Sequence, residues 1–407
     1  MSDRLKRLLL IVGFVLITLG LAFALYYFFF RPVAQPTAPP SAVPPRAGGL
    51  VPGAPGARPT PEEAARPGLP PVTRVPGLAL PTGVPTVPRS QVIVDRVTRN
   101  ISAGKTGLRS YNPADGRFYR VSPEGELTPL SNQTFFDVQD VDWGNQTDKA
   151  VLTYPDGSNI LYDFEQDKQY TLPKHWEDFG FSPNDDRIAA KSIGNNENNR
   201  FLVVSNPDGT NVRPVENLGQ NQDKVHVNWS PNNQIIAHSF TGEPLGYDRQ
   251  SIIMVGQNQE NFKALVVEGR GFVPSWSPSG DNLLYSVYNS SDGYRPGIWI
   301  SGASGDSINA NRRNLNIQTW ADKCAWQNED VVICGVPTSL PRGAGLQRDV
   351  ARGIPDQIVR VNIATGETTN LGLTSDSASV ANMTVGSDGN AVFFTNETTG
   401  RLIRFDL

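Results

Sequence analysis

The chain is poor in the residues on which most catalysis and metal binding depend. Its 407 residues include two cysteines, three histidines and three methionines. His175, His226 and His238 stand at no spacing that a zinc site uses. His226 and His238 can face one another across a single hairpin, which leaves open hydrogen-bonded structural histidines or a weak metal or acid–base site. No G-x-S-x-G elbow exists, and Gly302-Ala303-Ser304-Gly305 reads as a hairpin turn. Ala103-Gly104-Lys105-Thr106 ends like a phosphate-binding loop, but Arg99 occupies the position of its first glycine and no helix follows. Turns such as Pro207-Asp208-Gly209 lack the spacing of a calcium loop. No cofactor and no metal are therefore expected.

Charge is missing from one long stretch. Between Leu8 and Phe30 there is no charged residue, and Arg4, Lys6, Arg7 and Arg31 flank the run. As a helix it would extend about 34 Å, enough for a bilayer core of about 30 Å. Ala22-Phe23-Ala24 has the form of a signal-peptide cleavage site, but six apolar residues follow it, and the run reads as a retained anchor. Its basic leading flank orients the N-terminus to the cytoplasm and the remainder outside.

Residues 31–90 hold 17 of the chain's 33 prolines and few large apolar side chains, the composition of an extended, disordered spacer. The first 30 residues carry a charge of +2 and the spacer +4, so of a total of −4 the remaining residues 91–407 hold −10. An acidic domain repels phosphate backbones, which argues against nucleic acid as a partner.

Within residues 91–407 one pattern returns: WSPNNQIIAHS at 229, WSPSGDNLLYS at 276, FSPNDDRIAAKS at 181, with looser copies from Val141, Cys324 and Met383. An aromatic residue precedes a five-residue polar turn, and an apolar run follows that suits a strand covered on both faces. A second, more polar hairpin completes each unit. Trp143, Phe181, Trp229, Trp276 and Trp326 recur at intervals of 38, 48, 47 and 50. Four strands at that period predict an all-β domain, a seven-bladed β-propeller, with six blades as the runner-up. The last unit stops at RLIRFDL, one strand short, and the orphan SQVIVDRVT at residues 90–98 is the candidate to complete it and remove the open edge.

The FSPNDD, WSPNNQ and WSPSGD motifs, with later NPDG and SPEG turns, resemble the TolB-type, WD-repeat-like propellers of bacterial envelopes. The resemblance covers residues 91–407 and implies the propeller fold; it carries no partner over, since the N-terminal α/β domain of TolB is absent. Propellers of this kind serve as scaffolds, receptors and enzyme accessory domains. The reading adopted is a membrane-anchored, extracytoplasmic, non-enzymatic binding or assembly module. The alternative is a hydrolase, lyase or lectin-like binder of envelope polysaccharide, with Trp176 and Trp320 stacking on sugars at the channel mouth.

Loop length marks one face. The connections between second and third strands expand to residues 194–199, 241–250, 289–297 and 336–356 in successive blades. They carry Tyr247, Arg249, Tyr294, Arg295, Arg342, Arg348 and Arg352, Tyr and Arg being types enriched in binding hot spots. The expectation is a cationic, aromatic patch for an envelope protein or an anionic envelope polymer. Finally, Cys324 and Cys334 oppose one another in the hairpin around Asn328-Glu329-Asp330, which predicts a disulfide in an exported domain.

Overall fold

The computed structural model describes residues 18–21, 23 and 89–407. The anchor and spacer otherwise lie outside the described residues; residues 18–21 and 23 are helical, and among the described residues no helix is long and apolar enough to cross a membrane.

Seven four-stranded antiparallel sheets follow in chain order. Arg99–Gly104, Gly107–Asn112, Arg117–Val121 and Leu127–Pro129 make blade 1, and blades 2 to 6 occupy residues 140–172, 176–217, 225–267, 270–314 and 324–373. Blade 7 takes Val380–Val385, Ala391–Asn396 and Leu402–Asp406 and is completed by Ser90–Val94. First strands of different blades approach one another, which puts them innermost around the axis. The second strands are covered on both sides: all five residues of Ile235–Ser239 and all six of Ala391–Asn396 are buried.

The recurring turn has a physical cause. Ser182, Ser230 and Ser277 are buried, and each hydroxyl accepts the backbone N–H five residues on, from Arg187, Ile235 and Asn282 (3.0, 2.9 and 3.2 Å). The fourth turn residue, Asp185, Asn233 or Gly280, takes a positive φ of 59°, 61° or 77°, which Asp, Asn and Gly tolerate best. The turns also join blades. The Asp185 carboxylate accepts from the N–H groups of Asn145, Gln146 and Thr147 in blade 2 (2.6, 2.7 and 2.7 Å), and Asn232 donates to the Gly280 carbonyl in blade 5 (2.9 Å). One serine-proline turn thus caps its own hairpin and ties it to a neighbour.

The N-terminal strand closes the ring, as expected. Ser90, Gln91, Val92 and Val94 pair with Phe405, Arg404, Ile403 and Leu402. Cys324 and Cys334 are direct partners with α-carbons 4.1 Å apart and form the disulfide.

His226 and His238 do oppose one another. They are not a hydrogen-bonded pair. His238 is 1% exposed and stacks 5.5 Å from Trp276, and neither ring nitrogen has a hydrogen-bond partner among the described residues. Burial pushes the imidazole down to about 3 from its ordinary 6.5. Below about pH 6.5 the unfolded chain takes up a proton that the native state refuses until about pH 3, so stability falls as pH falls through that window. Relative to His238→Phe, the wild type is expected to lose about 1.4 kcal/mol per pH unit between pH 6 and 4 in urea titrations. Parallel pH profiles would refute this.

Candidate functional site

The connections between second and third strands leave the ring on one side, because every blade has the same strand order. On blades 4 to 6 these loops interlock. Asp248 accepts from the Ser290 hydroxyl and, at 3.3 Å, from its N–H, joining the first loop to the second. The second loop receives the third through backbone bonds, Gly343 N–H to the Gly293 carbonyl and Gly345 N–H to the Tyr294 carbonyl, both 2.8 Å. Arg295 adds Nε to the Leu340 carbonyl at 2.6 Å. Gly345 is required here, since a β-carbon on it would lie 2.5 Å from Tyr288. Long loops that would be mobile alone are thereby held as one platform.

Tyr247 and Tyr294 meet as expected. The neighbouring Tyr247 phenol raises the Tyr294 phenol above its ordinary value. Tyr247 is 57% exposed, with the guanidinium of Arg270 over its ring at 4.1 Å and Arg270 Nε donating to its carbonyl at 2.7 Å.

The arginines mostly do other work, which corrects the expected patch. Arg249 turns inward to Glu268 (3.0 Å), which Arg312 also binds (3.1 Å), because a carboxylate that is 18% exposed requires charged partners. Arg295 is spent on the Leu340 carbonyl. Arg348 makes a two-bond pair with Asp322 (2.6 and 3.2 Å) and lies 4.9 Å over Trp320. Arg342 and Arg352 are exposed and have no ion pair among the described residues. Arg270, unnoticed in the sequence because it begins an inner strand, joins them as a surface cation.

The tryptophans are corrected too. Trp320 is 5% exposed and sits under the third loop with Ala344 and Ala351; Trp176 is 4% exposed inside the blade 2–3 core. Neither offers a face to a sugar. What the sequence reading missed is apolar: Leu245, Leu346 and Val350 are 40%, 58% and 43% exposed on the first and third loops. The signal was present, as Leu346 and Val350 stand among Gly, Ala, Arg and polar residues at 342–353.

The channel carries a different chemistry. Inner strands of blades 2 to 4 bring together Asp140, Asp142, Glu177, Asp178 and His226. Asp178 accepts from the Val227 N–H (3.0 Å) and lies 3.4 Å from Lys191 and 3.9 Å from His226 Nδ1. Burial, then the charges of Asp140 and Asp178, hold the Asp142 carboxyl well above the usual range. Among the described residues no group of three or more His, Cys, Asp or Glu side chains is placed to hold a metal ion.

No family model and no curated protein matches the chain. Solved structures do. The chain covers 34% of the tricorn protease chain, with 80% of its own length aligned at 11% identity and a TM-score of 0.49. It is similar to the Cps50 (Swd1) β-propeller domain of Myceliophteria thermophila (12% identity, 78% of this chain, 99% of that, TM-score 0.52). It is similar also to oligogalacturonate lyase of Vibrio parahaemolyticus (11% identity, 79% of this chain, 92% of that, TM-score 0.50). At such identities the likeness is one of fold, and the chain is a seven-bladed, WD-repeat-like β-propeller.

Proposed function

We propose that the chain is a non-enzymatic binding or assembly module of a bacterial cell envelope, anchored through residues 8–30 with the propeller outside the cytoplasmic membrane. The observation that carries the reading is the interlocked platform on blades 4 to 6. A surface bearing Leu245, Tyr247, Leu346 and Val350, pre-ordered by hydrogen bonds between loops, contributes nothing to the ring's own core. Exposed aromatic and aliphatic anchors rimmed by Arg270, Arg342 and Arg352 suit an acidic envelope protein better than a bare anionic polymer, which would have only the cations to engage. The disulfide fits an exported domain.

Tyr247→Ala with Leu346→Ala is expected to keep the melting temperature within about 2 °C, because both side chains are exposed. The same variant should weaken partner capture at least tenfold, as loss of two anchors does. Unchanged capture would remove the platform from consideration.

A second reading, a hydrolase or lyase for polysaccharide, rests on Asp142. A carboxyl held well above the usual carboxylate range, with Asp178 and His226 on the neighbouring inner strands, is the kind of pairing that acid–base catalysis uses. The oligogalacturonate lyase among the similar structures is in keeping with it. Turnover of muropeptides or uronate glycans by the full chain, abolished by Asp142→Asn, would favour this reading over the first.

A further inference from the structure

Among the described residues, the positions other than glycine that take a positive φ are nearly all Asn or Asp, whose short polar side chains visit the left-handed region readily. Tyr294, at φ 57°, is the one aromatic residue among them. A bulky side chain in that region is strained and persists only where its surroundings over-determine it. They do so here. Gly293 precedes it at φ 65°, its own N–H donates to the Asn289 carbonyl at 2.8 Å, and its carbonyl accepts the Gly345 N–H at 2.8 Å.

Neither the turn nor the core accounts for a tyrosine at this place. Asn or Asp meets the same backbone demand with less strain, as Asn233 and Asp185 do in the recurring turns. The ring is half-buried and belongs to none of the apolar clusters between blades, whereas Tyr285 in the preceding strand is fully buried in the core of blades 4 and 5. What the tyrosine adds is a phenol on the platform.

That phenol neighbours the Tyr247 phenol, and Arg342 and Asp248 also act on it. Arg342 lies along Gly293, where a β-carbon would stand 3.2 Å from its Cγ and 3.6 Å from its Nε. Arg270 covers the Tyr247 ring at 4.1 Å, with its Nε held by the Tyr247 carbonyl at 2.7 Å. Neither Arg270 nor Arg342 has an ion pair among the described residues. Asp248 is already engaged by the N–H and hydroxyl of Ser290. Two phenols and two guanidinium groups without a counter-charge are a set of hydrogen-bond donors, and the group that complements such a set is a carboxylate.

We infer that Tyr294 anchors a carboxylate subsite, formed with Tyr247, Arg270 and Arg342, which receives a glutamate or aspartate from a leucine-bearing acidic segment of the partner protein. The aliphatic part of that segment has a counterpart beside the subsite. Leu346, 58% exposed, follows the Gly345 that is bonded to Tyr294, and Leu245, 40% exposed, stands two residues before Tyr247. A phosphate or a bare polyanion would leave both uncovered. The subsite rests on the reading of the interlocked loops as the binding face and adds the chemical group that this face recognises.

The test is fluorescence anisotropy of the labelled peptide LEELEELEE with the full chain in detergent micelles. Saturable binding is expected, weakened at least tenfold by Tyr294→Asn, by Arg270→Ala combined with Arg342→Ala, and by glutamine in place of every glutamate of the peptide. Tyr294→Phe, which keeps the ring and removes the hydroxyl, should weaken it severalfold. Tyr294→Asn should also raise the melting temperature by about 1–3 °C, because Asn tolerates the left-handed backbone better. No saturable binding, equal binding of the glutamine peptide, or full affinity in Tyr294→Asn would overturn the inference. So would a melting temperature lowered by Tyr294→Asn, which would assign the ring to the fold, or displacement by polyphosphate as readily as by unlabelled peptide, which would give the site to a bare polyanion. Partner capture separates the subsite from the platform: capture lost in Tyr247→Ala with Leu346→Ala but kept in Tyr294→Asn overturns the subsite alone.

Discussion

Deleting Ser90–Val94 is expected to lower the melting temperature by at least about 10 °C and to make the protein aggregate. The strand pairs with Leu402–Asp406 through four residue pairs, and its ends add Asp406 N–H to the Arg89 carbonyl (2.9 Å) and Ser375 N–H to the Ser90 hydroxyl. At a net value of about 1 kcal/mol per hydrogen bond, these contribute about 4–5 kcal/mol. Burial of Val94, 4% exposed, adds about 1.5–3 kcal/mol. Each kcal/mol is worth roughly 2–4 °C in a domain of this order of size. Loss of the strand also bares the edge of Leu402–Asp406, a template for pairing with other chains. Calorimetry of the full chain against a control lacking residues 84–88 makes the comparison. Equal melting temperatures would mean that the ring closes without its N-terminal strand. A peptide of residues 89–98 added in trans should restore part of the loss.

The second large effect belongs to Lys323 and Asp356, which are 2% and 0% exposed at the side chain and 3.0 Å apart. The same Asp356 oxygen accepts the Val380 N–H at 2.6 Å, so the pair joins blades 6 and 7. Burial holds the Asp356 carboxyl above its ordinary range in spite of Lys323. Desolvation is therefore only partly offset, and the pair is costly to break rather than strongly stabilising. Lys323→Met alone should destabilise by about 3–5 kcal/mol, because it strands a buried carboxylate. Adding Asp356→Leu should recover much of that loss, less about 1–3 kcal/mol for the Val380 N–H left unbonded. Urea unfolding of the two variants decides it. A double variant as unstable as the single one would show that the pair is net stabilising.

The fold was legible because its determinants are local. Ser-Pro turns, an Asp, Asn or Gly three residues after the serine, and an apolar run each act within one hairpin, and repetition multiplied the signal. The cysteine pairing was legible for the same reason, as a turn at Asn328-Glu329-Asp330 fixes the register on its own. The missing last strand had a local sign in RLIRFDL, though its partner lay some 300 residues away in sequence.

The site was legible only in outline. Loop lengths placed the face, and a Gly-Tyr with an Arg close behind, as Gly246-Tyr247-Asp248-Arg249 and again as Gly293-Tyr294-Arg295, placed the tyrosine pair. The fate of the arginines depended on partners remote in sequence: Arg249 on Glu268 and Arg348 on Asp322, which spacing does not announce. Trp176 and Trp320 were misread because an aromatic at the head of an inner strand can face core or channel, and neighbouring blades and a long loop decided for core.

Central to this account is the assignment of partner binding to the loop face. Its most direct test is site-specific photo-crosslinking in the cell membrane, with a photoreactive phenylalanine analogue in the full chain at position 247. A control carries it at position 105, exposed on the opposite face of the ring. The account predicts one discrete crosslinked partner from position 247 and none from position 105. Crosslinks of equal yield from both positions, or from position 105 alone, would contradict it.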